Sequence, residues 1–558
     1  MKQEKLFAAA FGLLRPFWPL VALATAVGIA SGLATAWLLA TINAGLHDGD
    51  GMTLPLLARF AGLCVLSVGG TAIAGAANSI VGQKIIALLR KDISARILRA
   101  PTAALEAHRS HRLMSVLTGD VDTVSAFTFN FSGYAIALAI TIGSIAYLIS
   151  LSLVVFLLAL VSLALGIVIN ALSQRLWIRD YQDVRVAQDD LHKQYRAIIE
   201  GAKELKMSRP RRSRVFGGLL SGAADRIATL KSRAMRFHWI ADASGSAVFF
   251  VMIGLLLGGR GIIGIDNTVI SGAVIVLLYV KGPVEQIAGA LPVFAQARIS
   301  FGRIAALSAE LDQHEPNIAV AQTRDGDTIP SPVRSIELRA ATYTFPARDN
   351  VAPFVLGPID LAIHGGELVF IVGDNGSGKT TLIKLLLGLY APQQGALLLD
   401  GRPVTPENRD DYRQLFSTIF SDYYLFDDLA YGGLPEEAEP HLEQLGIAHK
   451  VKLDGDRFTT TDLSTGQRKR LALVQARLEH RPVVVTDEWA ADQDPEFRRV
   501  FYEELLPQMR AEGKTIIVIS HDDRYFHVAD RIVRMAEGRI IDDRRPERSL
   551  LAAGTTTR

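Results

Sequence analysis

The sequence predicts an α-helical transmembrane domain with six spans, fused to an α/β P-loop domain that has a mostly parallel sheet. Three observations support this fold class. Long apolar runs are concentrated in the first part of the 558-residue chain. In the second part, short β-type runs alternate with helical stretches. Between one such run and a helical stretch lies the glycine-rich sequence GDNGSGKT, Gly373–Thr380.

Six apolar stretches are long enough for membrane-spanning helices, which need roughly 20 residues each. The first follows Lys2 and Lys5, but it is longer than the apolar core of a signal peptide, so we expect a retained membrane anchor. The predicted spans are Phe17–Ile42, Leu56–Gly82, Phe131–Ser150, Leu153–Leu172, Ala243–Ile263 and Thr268–Ile287.

Charge in the loops predicts the orientation of the spans. The loop Asn43–Thr53 has no Lys or Arg, whereas Gln174–Arg236 has 15, and Lys84–Arg112 is also basic. Because positive loops stay in the cytoplasm, we expect both termini and both long loops there. Membrane lipids are the expected partners of the spans. Topology explains these basic residues, and a net charge of +2 gives no support for a nucleic-acid partner. The single cysteine, Cys64, excludes a disulfide within one chain and favours a buried structural role.

Domain boundaries follow from composition. We expect a transmembrane domain at 1–311, a proline-containing linker at 312–333, an α/β domain at 334–545 and a disordered tail at 546–558. The predicted strands are Ser335–Leu338, Glu367–Val372, Ala396–Leu399, Val483–Thr486 and Thr515–Ile519.

The GDNGSGKT sequence has the spacing of a phosphate-binding loop. Its glycines let backbone N–H groups surround phosphate oxygens, while Lys379 reaches the β- and γ-phosphates and the Thr380 hydroxyl ligates Mg²⁺. The expected nucleotide-binding residues are Gly373, Asp374, Asn375, Gly376, Ser377, Gly378, Lys379, Thr380 and Thr381. Downstream, the apolar strand in VVVTDEWAADQD ends at Asp487, suited to Mg²⁺, and Glu488, suited to an attacking water. These motifs predict an ATPase that uses ATP and Mg²⁺.

With LSTGQ (Leu463–Gln467) and SHDD (Ser520–Asp523) added, the chain resembles the ATP-binding-cassette superfamily, specifically its six-span membrane exporters. In that family the LSTGQ signature caps the γ-phosphate of ATP bound by the opposite subunit, which implies a homodimer. The resemblance assigns this contact to Ser464, Gly466 and Gln467, and an interfacial role to Asp494. It makes Glu488, His521 and Lys379 catalytic. The resemblance also implies that Phe345, or else Tyr343, stacks on adenine. The alternative is that either ring simply packs in the hydrophobic core beside the strand.

One stretch departs from the family pattern. IFSDYYLF has Ser421 where exporters carry a glutamine that touches Mg²⁺, beside Asp422. Together with DEWAADQDPEFRR, LSTGQRKRLAL and SHDDRYF, it resembles bacterial exporters of cyclic peptides and peptide siderophore precursors. The resemblance implies such a peptide-like cargo and a location in the bacterial cytoplasmic (inner) membrane. The alternatives are a lipid or multidrug exporter, a siderophore importer, and a nucleotide-sensing regulator.

Candidate cargo contacts come from the sixth span. Lys281 and Glu285 lie one helical turn apart around Gly282–Pro283. Either they pair with each other near the membrane surface, or they line an inward-facing cavity and bind polar groups of the cargo. Polar residues such as Ser67 and Thr71 fit helix packing better than ligand contact. We expect helices in Arg90–Gly119 and Tyr195–Leu220 to transmit ATP-driven closure to the spans, in an alternating-access cycle.

Overall fold

The computed structural model describes residues 18–47, 53–107, 110–258, 266–312, 314–320, 332–345, 353–429 and 435–546. These residues form two compact units. The first comprises residues 1–92 and 114–307, and the second comprises residues 93–113 and 308–558. Most of the predicted linker and nearly all of the predicted disordered tail lie outside the described residues.

Long helices make up the first unit. They are Trp18–His47, Leu54–Arg99, Val121–Leu151, Leu153–Glu200, Ser221–Gly258 and Asn267–Glu310. Within the described part of the chain, five helical segments are long and apolar enough to cross a membrane. The fourth predicted span lies in the helix Leu153–Glu200, whose described apolar part is the shorter Leu153–Ile169. The described part of each of the six predicted spans therefore falls in its own long helix, and residue 17 of the first span and residues 259–263 of the fifth lie outside the described residues.

Several of these helices are much longer than a bilayer requires. Leu54–Arg99 has 46 residues and Leu153–Glu200 has 48, so both continue well past their apolar parts. Short helical segments follow them. These are Thr102–Ala107, Ser110–Ser115 and π-helical Val116–Asp120 after the second long helix, and Ala202–Met207, Arg209–Ser213 and π-helical Arg214–Leu220 after the fourth.

Small and hydroxyl-bearing residues join the first two long helices. The Ser31 and Thr71 hydroxyls lie 2.8 Å apart, and those of Thr35 and Ser67 lie 2.6 Å apart. A Cβ on Gly70 would come within 2.8 Å of the Ser31 side chain. These contacts are of the kind that holds helices together in lipid, and they match the packing interpretation of Ser67 and Thr71.

Two sheets form the framework of the second unit. The larger has the strand order β12-β11-β3-β10-β9-β6, parallel except for the edge strand β12. The smaller is antiparallel, with the order β2-β1-β4-β5, and β7 pairs with β8 in a separate two-stranded sheet. The strands are β1 Ser335–Thr344, β2 Val355–His364, β3 Leu368–Gly373, β4 Gln394–Leu399, β5 Arg402–Pro403, β6 Phe416–Ile419, β7 Leu453–Asp454, β8 Arg457–Phe458, β9 Val483–Asp487, β10 Thr515–Ile519, β11 Arg531–Ala536 and β12 Arg539–Arg544.

Helices cover both faces of the larger sheet, whose central strands β3, β9 and β10 are almost completely buried. The helical segments are Lys379–Leu386, Arg409–Arg413, Pro435–Gln444, Thr465–Leu478, Pro495–Arg499, π-helical Val500–Leu505, Leu506–Ala511, and the 3₁₀ turns Trp489–Asp492 and Asp523–Val528. Because β3, β9, β10 and β6 are parallel, the segments that follow them meet at one edge of the sheet.

The short helix Thr102–Ala107 also belongs to the second unit, although the sequence places it within the predicted transmembrane domain. Ala103 packs against the hydrophobic core of this unit, and the Glu106 carboxylate lies 2.7 Å from the Lys384 ammonium. Glu106 also accepts a hydrogen bond from the Tyr390 hydroxyl. A segment between two spans thus contacts the helix Lys379–Leu386 and the turn after it.

Candidate functional site

The glycine-rich loop connects β3 to the helix Lys379–Leu386. Gly373, Gly376 and Gly378 have φ values of 152°, 81° and 101°, which favour glycine. A Cβ on Gly373 would lie 2.3 Å from the Met535 carbonyl oxygen, so the close approach of β11 also requires glycine there. Successive turns of this kind orient backbone N–H groups toward an anion. Asp374, Asn375 and Gly376 are exposed at the loop tip.

Lys379 begins the helix and is almost completely buried. Its ammonium donates to the carbonyl oxygens of Gly373, at 2.8 Å, and Asp374, at 2.9 Å. Burial lowers the Lys379 pKa, while the nearby carboxylates of Glu488, Asp487 and Asp374 oppose the shift. A buried cation among loop carbonyls is placed to receive a more negative partner, as a nucleotide phosphate would be.

Two side chains whose oxygens are predicted to ligate Mg²⁺ lie together beside the loop. The Thr380 hydroxyl donates to Asp487 Oδ2 at 3.1 Å. Asp487 ends the fully buried strand β9, and burial is the main cause that raises its pKa, while the hydrogen bond from Thr380 lowers it. Ser421 is exposed in the turn after β6, the sheet neighbour of β9. Thr380 and Asp487 suit the oxygen coordination of Mg²⁺.

The loop also fits ATP. In the described part of the chain, the buried Ser377 hydroxyl has no hydrogen-bond partner, although its backbone is held on both sides. Ser377 N–H donates to the Asp374 carbonyl, and its own carbonyl accepts from Gly538 N–H at 3.0 Å. A fixed, unpaired hydroxyl within a glycine cradle suits a phosphate oxygen. Thr381 follows Thr380 in the first helical turn.

Glu488 and His521 stand next to each other at the same edge. Glu488 directly follows β9, and His521 lies two residues after the end of β10. Because these strands pair in parallel, both residues lie at the same edge of the sheet. His521 Nε2 lies 3.0 Å from Glu488 Oε1, and both side chains are partly exposed. Glu488 has φ 51° and ψ 35°, a left-handed conformation in which non-glycine residues are uncommon. The pair can hold a water and a phosphate oxygen together, as phosphoryl transfer requires.

Comparison with known proteins identifies this arrangement. Family models for the ABC transporter transmembrane region and the ABC transporter match residues 18–206 and 356–491. The chain is 36% identical over 528 residues to the ATP-binding protein SyrD of Pseudomonas syringae pv. syringae, covering 92% of this chain and 93% of that protein. The chain belongs to the ABC transporter family.

Two further comparisons describe this ABC transporter. It is 27% identical over 579 residues to the ATP-dependent lipid A-core flippase of Alkalilimnicola ehrlichii, covering 96% of this chain and 93% of that protein. A bacterial Atm1-family ABC exporter, solved with ATP bound, shares its fold at 18% identity with a TM-score of 0.68, over 95% of both chains. The predicted family, exporter fold and transport-coupled ATPase are confirmed, and the protein is a multi-pass membrane protein.

The signature sequence of the ABC transporter begins the helix Thr465–Leu478, with Ser464 as N-cap. Ser464 N–H and the Lys450 ammonium donate to the Gln467 side-chain oxygen, at 3.4 Å and 3.3 Å. Ser464 and Thr465 are exposed, as a second subunit would require. Ser464 and Gln467 form a capping box at this helix start, and an exposed helix N-terminus suits an anion.

Asp494 caps the helix Pro495–Arg499 by accepting from Phe497 N–H at 2.9 Å, and it also accepts from Arg470 at 2.9 Å. The hydrogen bond from the Phe497 backbone is the main cause that lowers the Asp494 pKa. The Asp494 carboxylate is thus held in place, with half of its side chain exposed.

The aromatic residues near β1 occupy different positions. Tyr343 is buried and stacks on Tyr390 at 4.5 Å, so it belongs to the core. Phe345 is partly buried, 5.2 Å from Tyr343, at the end of the described strand. Adenine stacking by Phe345 stays a prediction. Sequence reasoning missed Phe354, whose ring lies 3.0 Å from where a Gly378 Cβ would be, against the phosphate loop.

The predicted cargo pair forms an ion pair. Lys281 Nζ lies 3.4 Å from Glu285 Oε1, within the helix Asn267–Glu310. The Glu285 side chain is about half exposed. The contact agrees with the pairing alternative, and binding of cargo by either residue stays a prediction.

Proposed function

We propose that this ABC exporter is a homodimer that uses ATP and Mg²⁺ to move a cyclic or non-ribosomal peptide, or a peptide siderophore precursor, out of the bacterial cytoplasm. One observation carries the ATP-driven part. The phosphate loop, Asp487, Glu488 and His521 converge at one edge of the sheet, in a chain whose other unit is built from long apolar helices.

The proposed chemistry assigns a task to each residue. Bound Mg²⁺·ATP supplies the phosphoanhydride bond and the cation that neutralises its oxygens. Thr380 and Asp487 would hold the cation, and Lys379 would leave its loop carbonyls for the β- and γ-phosphates. The Glu488 carboxylate orients a water, and His521 holds both Glu488 and a γ-phosphate oxygen. Positioning and charge stabilisation of this kind provide most of the catalysis in phosphoryl transfer.

Exposure of the signature supports the homodimer. The phosphate loop packs against elements of its own unit. Ser464 and Thr465, in contrast, are exposed to solvent in a single chain. Two copies related by a two-fold axis would bring each signature to the phosphate loop of the other, and would create two equal sites. Asp494 lies beside the signature helix, where it would meet the partner.

Support for a peptide-like cargo comes from the ATPase motifs. The sequences around Ser421, Lys469, Trp489 and His521 resemble those of cyclic-peptide and siderophore-precursor exporters. The 36% identity to SyrD also exceeds the 27% identity to the lipid A-core flippase over similar coverage. The flippase match favours lipid as the second candidate cargo. Import, multidrug export and a purely regulatory role have no comparable support.

The proposed orientation puts the ATPase unit and both termini in the cytoplasm. The basic segment Gln174–Arg236 and the loop Asn43–Thr53, which has no Lys or Arg, support this arrangement in the bacterial cytoplasmic membrane.

The experiment measures ATP turnover by the protein reconstituted in lipid vesicles, with and without a cyclic peptide. We expect the peptide to stimulate turnover. Glu488→Gln should reduce turnover at least ~100-fold because it removes the base, while ATP binding is retained. The control is Glu503→Gln, a partly exposed helical glutamate that lies away from the loop.

A different experimental outcome would contradict each part of the proposal. Turnover retained by Glu488→Gln would contradict the catalytic role. Stimulation by lipid A but not by the peptide would select the lipid cargo. A wild-type protein with no ATP turnover would contradict the ATP-driven exporter.

A further inference from the structure

Two stretches of the ATPase unit that are distant in sequence contact each other. One is the start of the signature helix, with Lys469 in LSTGQRKRLAL. The other is the segment Glu488–Asp494, here named the catalytic segment. Lys469 Nζ lies 2.7 Å from Asp492 Oδ2 and donates to the Glu488 carbonyl oxygen at 2.9 Å. The Lys469 carbonyl accepts from Trp489 Nε1 at 2.7 Å.

Burial makes these contacts energetically significant. The Lys469 side chain is only 4% exposed, whereas that of Asp492 is 48% exposed. A buried ammonium is costly unless it is paired and hydrogen-bonded, and here both conditions are met. Trp489 is buried too and stacks on Phe501 at 4.3 Å, which fixes the first residue after Glu488. Burial and pairing therefore hold the Lys469 side chain in one position.

Lys469 acts on the backbone of the catalytic glutamate. Glu488 has the left-handed φ of 51°, a conformation that costs free energy and persists when its surroundings enforce it. Its N–H donates to the Ile519 carbonyl at 3.2 Å, and its carbonyl accepts from Lys469. These two contacts, from β10 and from the signature helix, fix the direction in which the carboxylate leaves the chain toward His521.

More contacts join the signature itself to the catalytic segment. Gln493 donates to the Gly466 carbonyl at 3.0 Å, and Arg470 donates to the Gln493 side chain at 2.9 Å. A Cβ on Gly466 would lie 2.9 Å from the Asp492 carbonyl oxygen, so the two backbones touch. The exposed residue Ser464 is two positions before Gly466. Direct contacts therefore connect the start of the signature helix to Glu488–Asp494.

We propose that Lys469, with Asp492, is a positioning residue that couples the two ATP sites of the dimer. When Ser464 and Gly466 close on ATP held by the partner, the Lys469 contacts set the backbone of Glu488 and make this chain's own site competent. This inference rests on the proposed homodimer. Closure at one site then raises the rate at the other, which gives cooperative turnover.

The test compares ATP turnover of the full-length protein and of Lys469→Met in lipid vesicles, over a range of ATP concentrations. We expect kcat to fall roughly tenfold with KM changed less than about threefold, because binding groups are untouched while Glu488 is misplaced. The Hill coefficient should fall from the wild-type value toward 1. Lys469→Gln keeps a donor for the Glu488 carbonyl, so it should recover part of the kcat.

Two controls separate positioning from folding. Arg499→Met removes exposed ion pairs to Glu503 and Glu504 in the same unit and should leave kcat and cooperativity unchanged. ATP binding is compared in Glu488→Gln and in the double variant Glu488→Gln/Lys469→Met. Equal affinities show that the phosphate loop is intact. Since Met is apolar and of similar length, and the Asp492 carboxylate left without Lys469 is half exposed to water, the fold should tolerate Lys469→Met.

Three results would overturn the inference. The first is an unchanged kcat and Hill coefficient in Lys469→Met. The second is a lower ATP affinity in the double variant than in Glu488→Gln, which would indicate a structural role for Lys469. The third is wild-type turnover without cooperativity. Failure of the proposed function shows separately, as a wild-type protein without ATP turnover.

Discussion

At the scale of single residues, burial of the Asp487 carboxylate at the end of β9 is expected to lower the stability of the folded protein. The residue is 1% exposed at the end of a strand whose other members are apolar or hydroxyl-bearing. Burial raises its pKa, and the carboxylates of Glu488 and Asp422 add to the shift. Mg²⁺ needs the charged form, which is the form that burial disfavours.

We therefore expect Asp487→Asn to unfold at a higher temperature than the wild type in neutral buffer without nucleotide or Mg²⁺, while losing Mg²⁺-dependent turnover. Because the folded-state pKa lies above the usual value, the wild type loses stability as pH rises from the usual carboxyl pKa through the raised one. Asn does not ionise, so the difference, about 0.5–2 kcal/mol, should shrink on acidification. Thermal unfolding at several pH values measures it.

The control for this prediction is Asp454→Asn, which removes an exposed carboxylate from the same unit that is not a cause of the Asp487 shift. It should change the melting temperature little. A lower melting temperature for Asp487→Asn at neutral pH would mean that Lys379 and Thr380 stabilise the charged carboxylate by more than burial costs.

At the scale of elements, the helix Thr102–Ala107 lies between two spans in the sequence but packs within the ATPase unit. Glu106 reaches both Lys384, in the helix that begins with the phosphate loop, and Tyr390, just after it. Tyr390 in turn stacks on Tyr343 of β1. The segment therefore contacts the phosphate-loop helix directly and is linked to the antiparallel sheet through Tyr390.

Replacing Glu106 with Gln should weaken communication between the units without damaging hydrolysis. The ion pair is partly exposed and contributes on the order of 1 kcal/mol or less, so the fold should persist. We expect basal turnover within about twofold of the wild type, and peptide-stimulated turnover reduced several-fold. Turnover assays with and without cyclic peptide measure both.

Lys384→Met should reproduce the effect of Glu106→Gln, and the double variant should be no worse than either alone. The matched control is Glu337→Gln, which breaks the ion pair with Arg339 in the same unit. Equal losses of basal and stimulated turnover in Glu106→Gln would argue against a communicating role.

Elements differ in how well the sequence predicts them. The buried runs Val483–Thr486 and Thr515–Ile519 are continuous, and the observed β9 and β10 agree within one residue. The strand β2 is missed because Gly357, Pro358 and Asp360 interrupt its pattern, and its pairing with β1 is long-range. The predicted strands at Ser335 and Ala396 belong to this antiparallel sheet, which local patterns do not reveal.

The same limit applies to the site. The phosphate loop, Asp487, Glu488 and His521 are predictable because their spacing to strands is local. The left-handed backbone at Glu488, the contact of Phe354 with the phosphate loop and the contacts of Lys469 arise only when distant segments pack together. A lysine in a helix is ordinarily a solvated side chain, so no local signal marks Lys469 as buried.

At the scale of the whole molecule, a homodimer with shared sites predicts complementation between two inactive variants. Lys379→Ala disables a phosphate loop, and Ser464→Arg disables a signature. In a mixed dimer, one site combines both defects and the other has none. Random mixing puts half of the chains in mixed dimers, each with one intact site.

Equal amounts of the two variants, combined before reconstitution, should therefore recover at most roughly one quarter of wild-type turnover. The proposed coupling through Lys469 lowers this value, because the second site of a mixed dimer cannot close on ATP. Each variant alone should give almost none. As a control, mixing Lys379→Ala with Glu488→Gln should recover nothing, because both residues belong to the same phosphate-loop side of a site. Absence of recovery in the first mixture would indicate that each chain completes its own site.

The left-handed conformation of Glu488 carries a consequence for evolution. At this φ the backbone alone favours glycine or asparagine, and a glutamate there costs about 1 kcal/mol. Under the proposed function, selection for hydrolysis opposes that preference. A descendant that no longer needs to hydrolyse ATP should therefore drift to Gly or Asn at this position before its neighbours change. The residue at position 488 thus records whether a lineage still depends on ATP turnover.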